Sequence, residues 1–182
     1  MLLYRLIEVI LVNSNAIFQD EEIKNFHLPR WKELPNVDLY LDQVVCLLEN
    51  YLANYIKNDS EKDNKLITKT MINNYVKHQV LKAPINKKYS REHLAYLFVI
   101  FILKQIYSMH EIKMLIDLAI KTSPIDQAYD RFCNELEKAI SLTFQGESYI
   151  NNDKLSKEQY LLRNVVQSFA NKLYVQRLYL NN

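Results

Sequence analysis

Apolar residues along this chain recur mainly at spacings of three and four, the period of helices that bury one face. The clearest stretch is residues 37–56, where Val37, Tyr40, Leu41, Val44, Val45, Leu48, Leu52, Tyr55 and Ile56 predict a helix of about five turns. A polar run, KNDSEKDN at residues 57–64, ends it as a loop. Thr68 can cap a second helix over residues 68–79, with Ile67, Met71, Ile72, Tyr75, Val76 and Val80 on its apolar side. Lys69, Thr70, Asn73, Asn74 and Lys77 then face solvent. Pro84 breaks the pattern, and LKAPINKKY leaves room for a short hairpin or wing whose turn type stays open because it has no glycine. Ser90 caps a helix over residues 92–106 that is apolar almost all round and is expected to be buried.

Ser108 and Glu111 form the S-x-x-E capping pattern that opens a helix over residues 109–121. Ser123, Pro124 and Asp126 mark another start, with Ile125, Tyr129, Phe132, Leu136, Ile140 and Phe144 on one face and Gly146 as the stop. The last helix is expected over residues 153–180. Its Leu155, Leu162, Val166, Phe169, Leu173 and Leu180 approach a heptad, which fits either packing within the chain or a coiled coil between two chains. At the other end, residues 1–12 form an amphipathic helix interrupted by Arg5 and Glu8. Residues 13–36, with two prolines, form an irregular arm anchored by Trp31.

One glycine and four prolines among 182 residues leave few tight turns, so the fold class is mainly α. Apolar residues at 49% and charged residues at 24% are the balance of a chain that folds. The start lacks a basic segment and a cleavage site, and the longest uncharged run, residues 94–103, is shorter than the roughly 20 residues a bilayer needs. No membrane association and a cytoplasmic location are expected. Cys46 and Cys133 each sit in an apolar helical pattern, so no disulfide framework is indicated.

Charge adds what periodicity cannot. Residues 65–91 hold seven cations, Lys65, Lys69, Lys77, Lys82, Lys87, Lys88 and Arg91, and no acid, leaving 16 basic against 21 acidic residues elsewhere. That asymmetry points to a polyanion or to a solvated face. His27, His78, His93 and His110 are isolated from one another and from the cysteines, so no metal site is expected. No Gly-rich phosphate loop or nucleophile with its base is evident, and Asp20, Glu21 and Glu22 read as an exposed acidic loop. Neither an enzyme nor a cofactor is expected.

The segment ITKTMINNYVKHQVLKAPINKKYSREHLAYLFVIFILKQIYSMHEIKMLI, residues 67–116, resembles the N-terminal DNA-binding domain of MerR-type regulators. LPRWKELPNVDLYLDQVV, TKTMINNYVK, KKYSREHLAYL and FILKQIYSMHEI, taken together, are similar to a family of Firmicutes proteins called domain of unknown function 1836, over residues 26–136. The MerR resemblance implies a winged helix-turn-helix unit, and the apolar periods predict long C-terminal helices after it. It makes Tyr75 and Tyr89 packing residues, puts Asn73, Asn74 and Lys77 on the recognition helix, and puts Lys87 and Lys88 on the wing. The chain departs from that pattern in the KNDSEKDN insertion, in a wing without glycine, and in having no arginine near Asn73.

Three regions are therefore expected: an N-terminal helix and arm over 1–30, a MerR-like helix-turn-helix domain over 31–121, and a C-terminal helical region over 122–182 available for dimerisation. The expected function is a DNA-binding transcriptional regulator contacting double-stranded DNA through Lys69, Thr70, Asn73, Asn74, Lys77, Lys87, Lys88 and Arg91, as a homodimer on a two-fold site. The alternative is a protein-interaction module on the same scaffold.

Overall fold

The computed structural model describes residues 21–56, 66–149 and 154–180. The expected helix at 1–12, the polar loop at 57–64 and Lys65 lie outside the described residues. In chain order the elements are α1 (Glu21–Lys24), β1 (Leu39–Tyr40), α2 (Leu41–Leu52), α3 (Lys69–Lys77), β2 (Lys88–Tyr89), α4 (Arg91–Leu103), α5 (Met109–Thr122), α6 (Ile125–Gln145) and α7 (Lys157–Val175). A π-helical turn, Gln176–Leu180, continues α7. The chain is mainly helical and divides into two compact units, residues 27–134 and residues 1–26 with 135–182.

The larger unit is organised around α4. Its sequence REHLAYLFVIFIL has no polar face beyond its first turn, so Leu94, Ala95, Leu97, Phe98, Ile100, Phe101, Ile102 and Leu103 are all buried. Full burial of such side chains is worth about 1.5–3 kcal/mol each. Three other elements each set one aromatic ring edge-on against this helix: Tyr51 of α2 on Phe98 at 5.6 Å, Tyr75 of α3 on Phe101 at 5.4 Å, and Tyr89 of β2 on His93 at 5.6 Å. The helix starts at Ser90, whose amide donates to His93 Nδ1 at 3.1 Å, while its hydroxyl lies 2.8 Å from the same nitrogen. His93 thus closes the first turn in the way a glutamate or glutamine usually does.

The expected helix over 37–56 starts later than its apolar pattern predicts. Leu39 and Tyr40 form a strand paired antiparallel with Tyr89 and Lys88, so helical geometry begins at Leu41. Val37, counted as a core position, is 67% exposed. The hairpin turns through Asn86 and Lys87, both with positive φ (50° and 61°), and the Lys88 amide closes it on the Ile85 carbonyl at 2.9 Å. Two left-handed central residues are the signature of a two-residue hairpin turn whose twist suits the flanking strands. Asparagine tolerates that conformation and lysine adopts it at some cost.

The arm is held by more than Trp31. Leu28 and Leu34 are fully or almost fully buried, whereas the Trp31 ring is only half-buried. Its backbone N–H donates to Asp130 Oδ1 at 2.6 Å, the Tyr129 hydroxyl donates to the Pro29 carbonyl at 2.8 Å, and Arg30 Nε donates to Asn134 Oδ1 at 3.0 Å. Burial pushes the Tyr129 hydroxyl pKa far up, so it remains a neutral donor. The start of α6 therefore belongs with the arm. Capping at Ser108 follows the sequence pattern: the Glu111 amide donates to Ser108 Oγ at 3.4 Å, and the Ser108 amide donates to Glu111 Oε2 at 2.8 Å.

In the smaller unit α6 ends in a reciprocal pair of hydrogen bonds, Gly146 N–H to Thr143 O at 3.3 Å and Glu147 N–H to Leu142 O at 2.8 Å, with Gly146 at φ 71°. This is the Schellman arrangement, and the only glycine occupies its left-handed position. The chain then doubles back, because the Tyr149 hydroxyl donates to the Glu135 carbonyl at 3.1 Å and its ring lies 4.7 Å from the Arg163 guanidinium. From there α7 runs in the same sense as α6: Arg163 meets Glu135, Gln167 meets Thr143, and Tyr174 meets Phe144. Val166, Phe169 and Leu173 of the near-heptad seam are buried within this unit. Ile23 and Phe26 are buried in the same unit, and Arg177 pairs with Glu22 at 2.7 Å.

A β-carbon added at Gly146 would meet nothing within 4 Å, so only the backbone conformation opposes a side chain there. Gly146→Ala is expected to lower unfolding free energy by about 1 kcal/mol in urea titration. A loss several times larger would mean that the site is packed after all.

Candidate nucleic-acid interface

The helix expected to face DNA is built as the sequence indicates. Thr68 Oγ1 accepts the Met71 amide at 3.2 Å and starts α3. Its end falls at Lys77, two residues before the expected Gln79. The Val80 and Leu81 amides both turn back to the Tyr75 carbonyl, at 3.0 and 3.1 Å, and Gln79 takes a left-handed φ of 56°. Ile72 and Tyr75 face the core, and burial pushes the Tyr75 hydroxyl pKa up to about 12. Tyr75 and Tyr89 are both buried, in line with packing roles. Lys69, Thr70, Asn73, Asn74 and Lys77 are all exposed. The outer face of α3 therefore offers two amides, a hydroxyl and two cations, without a carboxylate.

The cations that stand together in sequence are not equally available in space. Lys69 forms an ion pair with Asp42, in the first turn of α2. Lys82 pairs with Glu92 at 3.1 Å, and that carboxylate raises the lysine pKa. Lys88 lies over the Tyr40 ring at 5.2 Å. Arg91 donates to the Pro35 carbonyl at 3.4 Å and sits 5.9 Å from the centre of the Trp31 ring, which ties it to the arm. Of the described cations of this run, Lys77 and Lys87 alone are exposed with no ion pair or ring contact to another described residue.

Two of these contacts locate the surface. Lys69 opens α3 and Lys88 lies in β2, yet they reach Asp42 and Tyr40, two positions apart at the N-terminal end of α2. The start of α3 and the base of the hairpin thus flank one end of one helix. Sequence reasoning did not single out Tyr40, Asp42 or Glu92. The segment between α2 and α3 hides the first two, and Glu92 falls one residue beyond the acid-free run. Among the described residues no cluster of three or more His, Cys, Asp or Glu side chains could hold a metal ion, and no helix is long and apolar enough to cross a membrane.

The family model for a domain of unknown function, DUF1836, matches residues 29–132, more than half of the chain. The chain belongs to the DUF1836 family. The DUF1836 region and the larger unit agree to within two residues at each end, so the domain takes in the arm, the hairpin and the start of α6. No curated protein and no solved structure matches the chain.

Within the DUF1836 domain, structural cations and available ones should separate by substitution. Arg91→Ala is expected to cost about 1–2 kcal/mol in chemical denaturation, from a lost charged hydrogen bond and ring contact. Lys77→Ala and Lys87→Ala should each stay within about 0.5 kcal/mol of wild type. An Arg91 variant as stable as the lysine variants would remove the distinction.

Proposed function

We propose that the DUF1836 domain is a DNA-binding unit of the MerR-like winged helix-turn-helix kind and that the protein regulates transcription in the bacterial cytoplasm. The observation that carries this reading is the outer face of α3, where Thr70, Asn73, Asn74 and Lys77 are exposed on a helix held from behind by Ile72 and Tyr75. An asparagine can pair bidentately with adenine in the major groove, whereas a lysine neutralises phosphate without reading sequence. The chain order adds support: a strand, two helices, and then a hairpin whose second strand returns to the first. The MerR likeness and the Firmicutes ancestry belong to this reading.

A single unit of this size offers few phosphate contacts, so two copies on a two-fold site are part of the proposal. Lys77 and Lys87 supply charge directly, and Lys69 contributes once a phosphate replaces Asp42. A second reading, a protein-interaction module, is favoured by the ion pairs at Lys69 and Lys82, which cancel part of the positive field.

The test is salt-dependent binding of the full chain to labelled duplex carrying the promoter of its own gene, beside a scrambled duplex. Lys77→Ala with Lys87→Ala should weaken binding to both and flatten the log–log salt slope by roughly two units. Asn73→Ala should cost about 1–3 kcal/mol on the promoter duplex alone and leave the slope unchanged. Asp42→Asn should tighten binding to both duplexes and steepen the slope by about one unit. Absence of salt-dependent binding to any duplex at low ionic strength would end the DNA reading in favour of the interaction module.

A further inference from the structure

One helix of the larger unit carries apolar side chains on the side turned away from its core. In α5, Ile112 and Ile116 are buried, whereas Met114 is 60% and Leu118 40% exposed. Glu111 and Lys121 are exposed as well, and residues 111, 114, 118 and 121 recur at intervals of three, four and three, so they form one stripe along the helix. It runs from an acid through two apolar side chains to a base. Both side-chain bonds between Glu111 and Ser108 end on Oε2, at 2.8 and 2.7 Å, and they hold the carboxyl below its usual range, so it is charged at neutral pH. Lys121 has no ion pair among the described residues.

We propose that this stripe is the contact between two copies of the chain, packed antiparallel about a two-fold axis that passes midway between Met114 and Leu118. The stripe is symmetric about position 116: Glu111 and Lys121 lie five residues to either side of it, and Met114 and Leu118 two. An antiparallel two-fold therefore sets Glu111 against Lys121 of the second copy at both ends and Met114 against Leu118 in the middle. Such a patch complements itself, as an isologous interface requires. A parallel pairing would oppose like charges at both ends. That order of charges makes a second copy of this chain the occupant. The near-heptad seam of α7 is not available for the purpose, because Val166, Phe169 and Leu173 are buried within the smaller unit. Only about 15 Å of helix separates Glu111 from Lys121, so the contact buries less than the roughly 1,200 Å² of a stable complex and the dimer is weak. The contact also serves the two-fold pairing of the proposed function, yet it needs no DNA to form.

Sedimentation equilibrium of the full chain without DNA, up to about 500 μM, reads the association directly. Wild type should pass from the mass of one chain towards that of two, with a dissociation constant on the order of 100 μM. Leu118→Glu should stay monomeric across that range and keep the wild-type circular dichroism and melting temperature, because Leu118 lies outside the core. Lys121→Glu alone and Glu111→Lys alone should each weaken association by about ten-fold or more, since each opposes like charges at both ends. An equimolar mixture of these two variants should recover it, because every end then joins opposite charges. Glu111→Lys loses its bonds to Ser108, so the mixture is measured well below that variant's melting temperature. A wild type monomeric at the highest concentration overturns the inference and makes the stripe a seat for another protein's helix. A Leu118→Glu variant that still dimerises or melts well below wild type, or a mixture that stays monomeric, overturns it too. None of these results touches DNA binding through α3, which the duplex titrations decide separately.

Discussion

The larger unit depends on one constraint: α4 has no side that water can solvate. A helix apolar all round must be enclosed, and enclosure fixes what surrounds it. The arrangement uses α2, α3 and β2, each contributing one aromatic edge, and these are the elements that bear the exposed chemistry. Tyr75 and Asn73 lie two positions apart on the same helix, so seating Tyr75 against Phe101 turns Asn73 and Asn74 outward. Likewise Tyr89 against His93 sets the face on which Lys88 stands. The candidate site is in this sense the outer surface of a core decision.

Much of the fold was legible because local signals and burial agreed. Thr68, Ser108 and Gly146 do at helix ends what their chemistry suggests, and the face Tyr129, Phe132, Leu136, Ile140 and Phe144 of α6 is buried as its period predicts. Disagreement arose where a partner distant in sequence decides. Val37 and Tyr40 continue a helical period, yet a strand about fifty residues further on claims the backbone at Leu39 and Tyr40. Trp31 drew attention as the largest residue of the arm, while Asp130, Tyr129 and Asn134 do the holding through its backbone and through Arg30.

The same limit governs the charges. An acid-free run of lysines is a statement about neighbours along the chain, whereas potential is a statement about neighbours in space. Asp42 approaches Lys69 from another helix and Glu92 approaches Lys82 from the following one, so the exposed positive field is smaller than the sequence count implies. Such exposed pairs contribute little to stability, but a bound polyanion can exchange for them. Arg91 contributes through packing on the arm, which no reading of net charge could reveal.

The left-handed turns have a kinetic side. Gln79, Asn86 and Lys87 occupy backbone conformations that glycine would reach freely, in a chain whose one glycine is at 146. A turn of that kind does not nucleate by itself, since the isolated strand segments have too little to gain from closing it. The hairpin is held closed by Tyr89, which is buried against His93 of α4. Closing the hairpin and seating Tyr89 on α4 are therefore one coupled event, and the backbone strain at Asn86 and Lys87 is held by that packing.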